Sequence, residues 1–319
     1  MAGIHNVLVG YGARETISTT YSTNATNVSL NVSTLANYKK GLSDITITVN
    51  SNVYIYSTST STPALTITGA SNGDKITLIN NGFIMGMGGN GGDMIDSQEI
   101  TYPGGDGGPA LSTFHDIIIN TANGYIGGGG GGGGSSVSGF GGGGAGGGLG
   151  GGRIWYGGQR TAGGGPGQAG GSNGWGCSTF SGGFDNPFAS GGGGGRIMPG
   201  TGGTGPSITY LGGPDSDYSA WYKAGNGGGA GGSGGVTWGG QTTRTGGNGG
   251  GGGNKGQVGS GTTAGGGGGG WGADGGAGGG TVGTYRSRPG GKGGKAIVLN
   301  GNTVTYLGST DGRIFGAVS

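Results

Sequence analysis

Cysteine is almost absent: Cys177 stands alone, so no disulfide can form within the chain. Proline is scarce, at 9 residues, and the glycines keep no strict every-third-residue spacing, which excludes a collagen triple helix. Charge is scarce too, with Asp, Glu, Lys and Arg making up 9% of the residues. Disorder driven by net charge is thereby excluded, and a formal charge of +2 without a basic run indicates no nucleic-acid partner. Apolar residues, at 30%, are too few for an ordinary core running through all 319 residues. No stretch is long and apolar enough to span a bilayer. The opening MAGIHNVLVGYGARET has neither a charged leader nor a long apolar run. The expectation is a chain made in a cytosol, without a signal peptide and without membrane insertion.

What is abundant is glycine, 100 residues, and it is unevenly spread. Before residue 85 the pattern is that of half-buried strands. DITITVNSNVYIYSTSTSTPALTITG (44–69) and DKITLINNGFI (74–84) alternate apolar residues with Thr or Ser, broken by Ser-Asn-Gly turns. Thr-rich outward faces predict a solvated antiparallel sheet. Near the other end, Ala296-Ile-Val-Leu, the Asn300-Gly301 turn and Thr303-Val-Thr-Tyr-Leu read as a β-hairpin. A weak repeat joins the parts. NNGFIMGMGG (80–89) and ANGYIGGGGG (122–131) share Asn-Gly-aromatic-Ile leading into glycines, and TPAL (62–65) is echoed by GPAL (108–111).

Between these parts, glycine tracts alternate with segments that bear side chains. They include 86–92, the eight glycines at 127–134, GFGGGGAGGGLGGG at 139–152, and further tracts at 225–235, 246–253 and 265–272. Flexible linkers are the ordinary reading of glycine-rich sequence. These tracts, however, are nearly undiluted by serine, recur many times, and have Trp155, Trp175, Trp221, Trp238 and Trp271 in or beside them. Disordered segments are poor in aromatics.

The alternative is a bundle of extended threefold glycine helices. Such helices have no internal hydrogen bonds, so their N–H and C=O groups are paired only if neighbouring tracts approach closely. Glycine alone permits that approach on every side, and its entropic cost must be offset by many tracts acting together. Met87, Asn90, Phe140, Ala145 and Leu149 are then expected on the outer faces of the stack. A fourteen-residue tract such as 139–152 would run about 40 Å without a break.

The expected fold is therefore mostly β and irregular. A small β domain at 1–85 precedes a layered bundle of polyglycine II helices at 86–294, with loops at both ends, and 295–319 form a C-terminal β-hairpin that closes it. Nothing points to an enzyme or a cofactor. His5 and His115 lack metal-ligand spacing, and Cys177 has no flanking catalytic pattern. GNGGDMID (89–96) and GGDGG lack the Gly-Lys-Ser/Thr of a phosphate loop and the nine-residue Asp repeat of a calcium solenoid. Asp93, Asp96 and Glu99 read as a solvated loop.

Pure glycine tracts separated by aromatic and polar loops, together with the ending GGKGGKAIVLNGNTVTYLGSTDGRIFGAV, resemble the receptor-recognition adhesins of tailed bacteriophages. The nearest likeness is to the tail-fibre-tip adhesins of T-even-like phages, and it covers about residues 80–319. The resemblance implies a virion protein of the distal tail fibre or tail tip. Residues 1–85 would then serve attachment to a tail-fibre or tail-tip protein, and loops at the far end of a polyglycine II scaffold would bind a bacterial outer-membrane protein or lipopolysaccharide.

Five segments are rich in the aromatic and arginine residues typical of interface hot spots. The receptor-binding candidates are Arg153, Trp155, Tyr156 and Arg160 in RIWYGGQR; Trp175 in SNGWGCSTFSGGFDNPF; and Tyr210, Tyr218, Trp221 and Tyr222 in SITYLGGPDSDYSAWYK. Trp238 and Arg244 in VTWGGQTTR and Tyr285 and Arg286 in TVGTYRSR complete the set. Some aromatics must instead plug the stack, Phe180, Phe184 and Phe188 above all. If tracts alternate in direction, the SSVS turn (135–138) lies at the end opposite 153–160. The alternative function is a non-enzymatic structural glycine-rich protein, a coat or ice-binding scaffold. A depolymerase is a third reading, disfavoured by the lack of a paired-carboxylate signature.

Overall fold

The alternating segments at the two ends of the chain wind together into one parallel β-solenoid of five coils. The computed structural model describes residues 12–95, 100–121, 123–136, 139–152, 162–170, 192–200, 227–228, 231–232, 250–259, 265–279 and 287–319. The first coil comprises β1 (Glu15–Tyr21), β2 (Ala25–Thr26) and β3 (Val28–Asn31). The second comprises β4 (Ser43–Val49), β5 (Tyr54–Tyr56) and β6 (Leu65–Thr68). In the third, β7 (Lys75–Asn80) and β8 (Phe83–Met85) are followed by a hairpin, β9 (Met94–Ile95) and β10 (Ile100–Thr101), before β11 (Leu111–Thr113). In the fourth, β12 (Ile117–Asn120) and β13 (Tyr125–Gly127) are separated from β16 (Ile297–Val298) by a stretch holding β14 (Gly227–Gly228) and β15 (Gly231–Gly232). The fifth coil has β17 (Val304–Tyr306), β18 (Ile314–Phe315) and the bridge of Val318 to Ile297.

Stacking the coils gives three parallel sheets: β1-β4-β7-β12-β17, β2-β5-β8-β13-β18, and β3-β6-β11-β16. Inward positions stack in register, so Ile17, Ile45, Ile76, Ile117 and Val304 form one ladder. Ile55, Ile84, Ile126 and Ile314 form another, and Leu65, Leu111 and Ile297 a third. Most of these side chains are buried within a single apolar cluster, each buried Ile or Leu contributing about 1.5–3 kcal/mol. Outward positions on the first sheet are mostly Thr and Ser (Ser18, Thr46, Thr77, Thr305), with Ile79 and Ile118 as exceptions, which explains the alternation seen in the sequence.

Two expectations are corrected. The strands pair in parallel, because a period of two reports a buried face but not the direction of the neighbouring strand. The carboxyl-terminal segment is no hairpin: β16 lies beside β11 and β17 beside β12, in different sheets. At the Asn300 corner the residue adopts φ 51°, as Asn27 and Asn52 do at φ 47° and 60°, and these corners carry the chain into the next sheet instead of reversing it. The faint repeats are coil equivalences: Phe83 pairs with Tyr125, and Leu65 with Leu111. The alanines before the third strands, Ala64, Ala110 and Ala296, are all fully buried.

One corner of the solenoid differs from coil to coil. Between the second and third sheets the first coil spends only Asn27, the second residues 57–64, the third 86–110 and the fourth 128–296. The glycine-rich material is thus two insertions at the same corner of consecutive coils.

A second corner is held by Asp74, which is 7% exposed. Its carboxylate accepts the Tyr38 hydroxyl (2.7 Å), the Ser71 N–H (2.8 Å) and the Ser43 N–H (3.1 Å). Burial pushes its pKa up, but these hydrogen bonds outweigh that and hold it below the usual carboxylate value. A depressed folded pKa contributes stability that is present above the unfolded value of about 3.9 and is lost as pH falls through the folded one. Asp74→Asn should therefore lower the unfolding midpoint at pH 7, and the gap to wild type should narrow at an acid pH below the unfolded value of about 3.9, as pH falls through the depressed folded pKa. Urea titrations at both pH values check this.

Candidate functional site

The tract 128–134 is the axis of the inserted bundle, and its backbone is paired outward in every direction. Gly129 and Gly132 donate to Gly108 and Gly105, Gly130 and Gly133 to Ala145 and Gly142, and Gly131 and Gly134 to Ala273 and Gly276, at 2.7–2.9 Å. Its carbonyls accept from three further tracts. Gly130 and Gly133 accept from Gly89 and Gly92, Gly131 and Gly134 from Gly269 and Gly266, and Gly129 and Gly132 from Gly294 and Gly291. Each neighbour is met once every three residues, and the seven-residue tract touches six of them.

This close approach is why side chains are missing. A Cβ on Gly132 would land on the Asn90 carbonyl oxygen and one on Gly131 on that of Gly291, both deep inside van der Waals contact.

The direction of each tract follows from these bonds. Tracts 86–93, 128–135, 148–152, 254–259 and 273–279 run away from the solenoid; 102–108, 139–145, 162–166, 192–196, 265–272 and 287–294 run back. The stretch 139–152 is therefore not one long tract. It reverses at Gly146 and Gly147, with φ 102° and 86°, beside the sheets. Consequently 135–136 and 152 are at the same end, both on Asp93: the Ser135 hydroxyl lies 2.9 Å from its carbonyl oxygen, and the Gly152 N–H donates to its carboxylate at 2.9 Å. The expectation that they oppose each other is overturned by this reversal.

The end next to the solenoid is sealed by side chains. Tyr54, Phe83, Tyr125 and Phe315 stack in a ladder on the outer face of the second sheet, with centroids 4.7, 5.7 and 6.4 Å apart. Met85, Ala145, Met198 and the fully buried Trp271 pack against them, and the Trp271 indole N–H donates to the Ile197 carbonyl at 2.9 Å. Ala145 and Phe140 are thus buried, not on an outer face as expected, because the stack has neighbours there too. Met87, Asn90 and Leu149 are half-buried.

Arg196, 6% exposed, stacks over Tyr56 at 4.7 Å and donates to the Gly146 carbonyl at 2.8 Å, holding the reversal in place. Burial lowers its pKa and Tyr56 opposes the shift. Local sequence carries no signal for this role, since its partners are Tyr56, Met87 and Gly146.

The chain leaves the described bundle at 95, 136, 152, 170, 259 and 279 on stretches running away from the solenoid, and re-enters it at 100, 139, 162, 192, 265 and 287 on stretches running back. Every predicted receptor-binding residue lies outside the described residues: Arg153, Trp155, Tyr156, Arg160, Trp175, Tyr210, Tyr218, Trp221, Tyr222, Trp238, Arg244, Tyr285 and Arg286. Among the described residues no group of three His, Cys, Asp or Glu could hold a metal ion, and no helix is long and apolar enough to cross a membrane. His115 directs Nε2 to the Ser71 carbonyl at 2.9 Å, a contact between coils.

The described residues form a solenoid that carries a glycine bundle on one corner, sealed by side chains at the end next to the sheets. The model of the family "Phage tail fibre adhesin Gp38" matches residues 16–319, and the chain belongs to that family. The match takes in the solenoid as well as the glycine-rich part, further toward the amino terminus than the sequence resemblance reached. No curated protein matches the chain. Among solved structures it is similar to the gp37–gp38 adhesin tip complex of the bacteriophage S16 long tail fiber. That similarity has 17% identity and a TM-score of 0.41, over 96% of this chain and 82% of that one.

Proposed function

We propose that this tail fibre adhesin is the receptor-binding tip of its phage, with the solenoid toward the fibre and the end of the glycine bundle away from the solenoid toward the host cell. On this reading the tracts are polyglycine II helices, which their period-three bonding to six neighbours supports. The observation that carries the proposal is topological. Segments 153–161, 171–191 and 280–286 each leave the described residues on a stretch running away from the solenoid and re-enter on a tract running back toward it. They contain Arg153, Trp155, Tyr156, Arg160, Trp175, Tyr285 and Arg286. A rigid base lets such segments carry recognition without sharing in it, and Trp and Tyr supply large contacts at small entropic cost. Tyr210, Tyr218, Trp221, Tyr222, Trp238 and Arg244 belong to the same proposed surface on composition alone. The receptor is an outer-membrane protein or lipopolysaccharide, bound without chemistry; the fibre protein is the second partner; and the protein resides in the virion.

The test is competition. Purified chain should block adsorption of the phage, and the block should vanish on host mutants that lack the receptor. Trp155→Ala with Tyr156→Ala, and separately Trp238→Ala, should weaken competition about tenfold while leaving the unfolding midpoint in place. Unaltered competition by both, and by a chain with 207–223 exchanged, would overturn the site.

A further inference from the structure

Five Asn-Gly pairs lie among the described residues, beginning at Asn72, Asn81, Asn90, Asn123 and Asn300; those beginning at Asn173, Asn226 and Asn248 lie outside them. An asparagine followed by glycine is open to attack on its side-chain amide carbon by the next backbone nitrogen, because glycine has no Cβ to shield that nitrogen. The fold decides which pair can react. Gly82 is buried and its N–H donates to the Asn80 side chain at 3.2 Å, while Asn81 Oδ1 accepts from Asn123 Nδ2 at 3.3 Å. The same bond tethers Asn123, whose following glycine is also buried. Asn90 Oδ1 accepts the Leu149 N–H at 3.0 Å, and the Gly91 N–H donates to the Leu149 carbonyl at 2.8 Å. Asn300 Nδ2 donates to the Ser112 hydroxyl and the Thr113 carbonyl, both at 3.0 Å. Asn72-Gly73 differs from all four. Both residues are exposed, in the turn closed by the Asp74 N–H on the Ser71 carbonyl at 2.9 Å, and Gly73 has φ 94°. Among the described residues no hydrogen bond holds the Asn72 side chain or uses the Gly73 N–H.

We infer that Asn72 is a site of spontaneous deamidation and that the reaction loosens the solenoid corner held by Asp74. The Gly73 nitrogen gives up its proton and bonds to Asn72 Cγ; the side-chain nitrogen leaves with that proton as ammonia, and a cyclic imide remains. Water then adds to one of the two imide carbonyls and breaks its bond to the nitrogen, leaving aspartate or isoaspartate at position 72. No electrons are gained or lost. In isoaspartate the backbone runs through the side-chain methylene, so the turn is one carbon longer. The turn has no room for that. A Cβ on Gly73 would lie 2.5 Å from the Gly41 carbonyl oxygen. The next residue is Asp74, whose carboxylate accepts the Ser71 and Ser43 N–H groups and the Tyr38 hydroxyl.

The test ages the full chain at mildly alkaline pH and maps the products by digestion, mass spectrometry and isoaspartyl methyltransferase labelling. Modification should accumulate at position 72 ahead of the other four described pairs, and the five should converge in chain aged in guanidinium chloride. The aged wild-type chain should unfold at a midpoint lowered by roughly 2–4 °C. Asn72→Gln, aged alike, should keep its midpoint, because the longer side chain closes the imide ring far more slowly. Modification at 72 no faster than at Asn81, Asn90, Asn123 or Asn300 overturns the assignment, as does a preference for 72 that persists in guanidinium chloride. Modification at 72 with an unchanged midpoint overturns its effect on the Asp74 corner.

Discussion

Gly132→Ala is expected to unfold the glycine bundle, although it adds a single methyl group. That methyl would occupy the place of the Asn90 carbonyl oxygen, with the Asn90 carbonyl carbon and the Gly91 nitrogen next in line. These are backbone atoms of a tract that is itself hydrogen-bonded, so no side chain can swing away. Separating the two tracts would break the bonds from Gly89 to Gly130 and from Gly92 to Gly133. The cost should exceed the roughly 1–3 kcal/mol typical of overpacking, and each buried backbone group left unpaired adds about 1–3 kcal/mol. Gly165→Ala is the matched control, since its nearest neighbour is the mobile end of the Gln168 side chain at 3.1 Å. Differential scanning calorimetry should show a midpoint lowered by roughly 5–10 °C, or loss of the transition, for Gly132→Ala, and little change for Gly165→Ala.

Removing residues 295–319 is expected to cost more still. This segment closes the fourth coil and makes the fifth, so its loss strips partners from strands laid down far earlier in the chain. The N–H groups of Ala110, Leu111, Ile117, Ile126 and Gly128 donate to Lys295, Ala296, Thr303, Arg313 and Phe315 at 2.9–3.1 Å. At about 1–3 kcal/mol for each unpaired buried group, the loss rivals the whole stability of a domain, about 5–15 kcal/mol. The fully buried Ala296 and Ile297 also leave the core, and Phe315 leaves the aromatic ladder under the bundle. A chain ending at Gly294 should lose cooperative unfolding, and its amides at 128–134 should exchange at the rate of unstructured peptide. A truncated chain with the wild-type midpoint and slow exchange would show that the glycine stack stands without its closing strands.

How much of this was legible beforehand depends on which interactions are local. The alternation at 44–69 marked strands, and the Asn-Gly-aromatic-Ile echo marked the equivalence of Phe83 and Tyr125, because each coil repeats the same inward positions. Strand direction was not legible. Ile297 stacks on Leu111, and no period-two pattern encodes a partner so far away in sequence. The reversal at Gly146 and Gly147 was equally silent, since a glycine that turns and a glycine that packs are the same letter. Arg196 and Trp271 show the other side of that limit: each follows directly on a run of glycines, and both are fasteners between the bundle and the solenoid.

The central claim is that the end of the bundle away from the solenoid faces the host, and steric blocking tests it most directly. In a chain with Cys177 replaced by serine, a single cysteine at Val258, exposed at that end beside the Gly259–Ala277 hydrogen bond, or at Ser18, exposed on the outer face of the first sheet, would carry a bulky polyethylene glycol. The label at Val258 should abolish competition with phage for host cells, and the label at Ser18 should leave it unchanged. Full competition by the Val258 conjugate together with loss by the Ser18 conjugate would contradict the account.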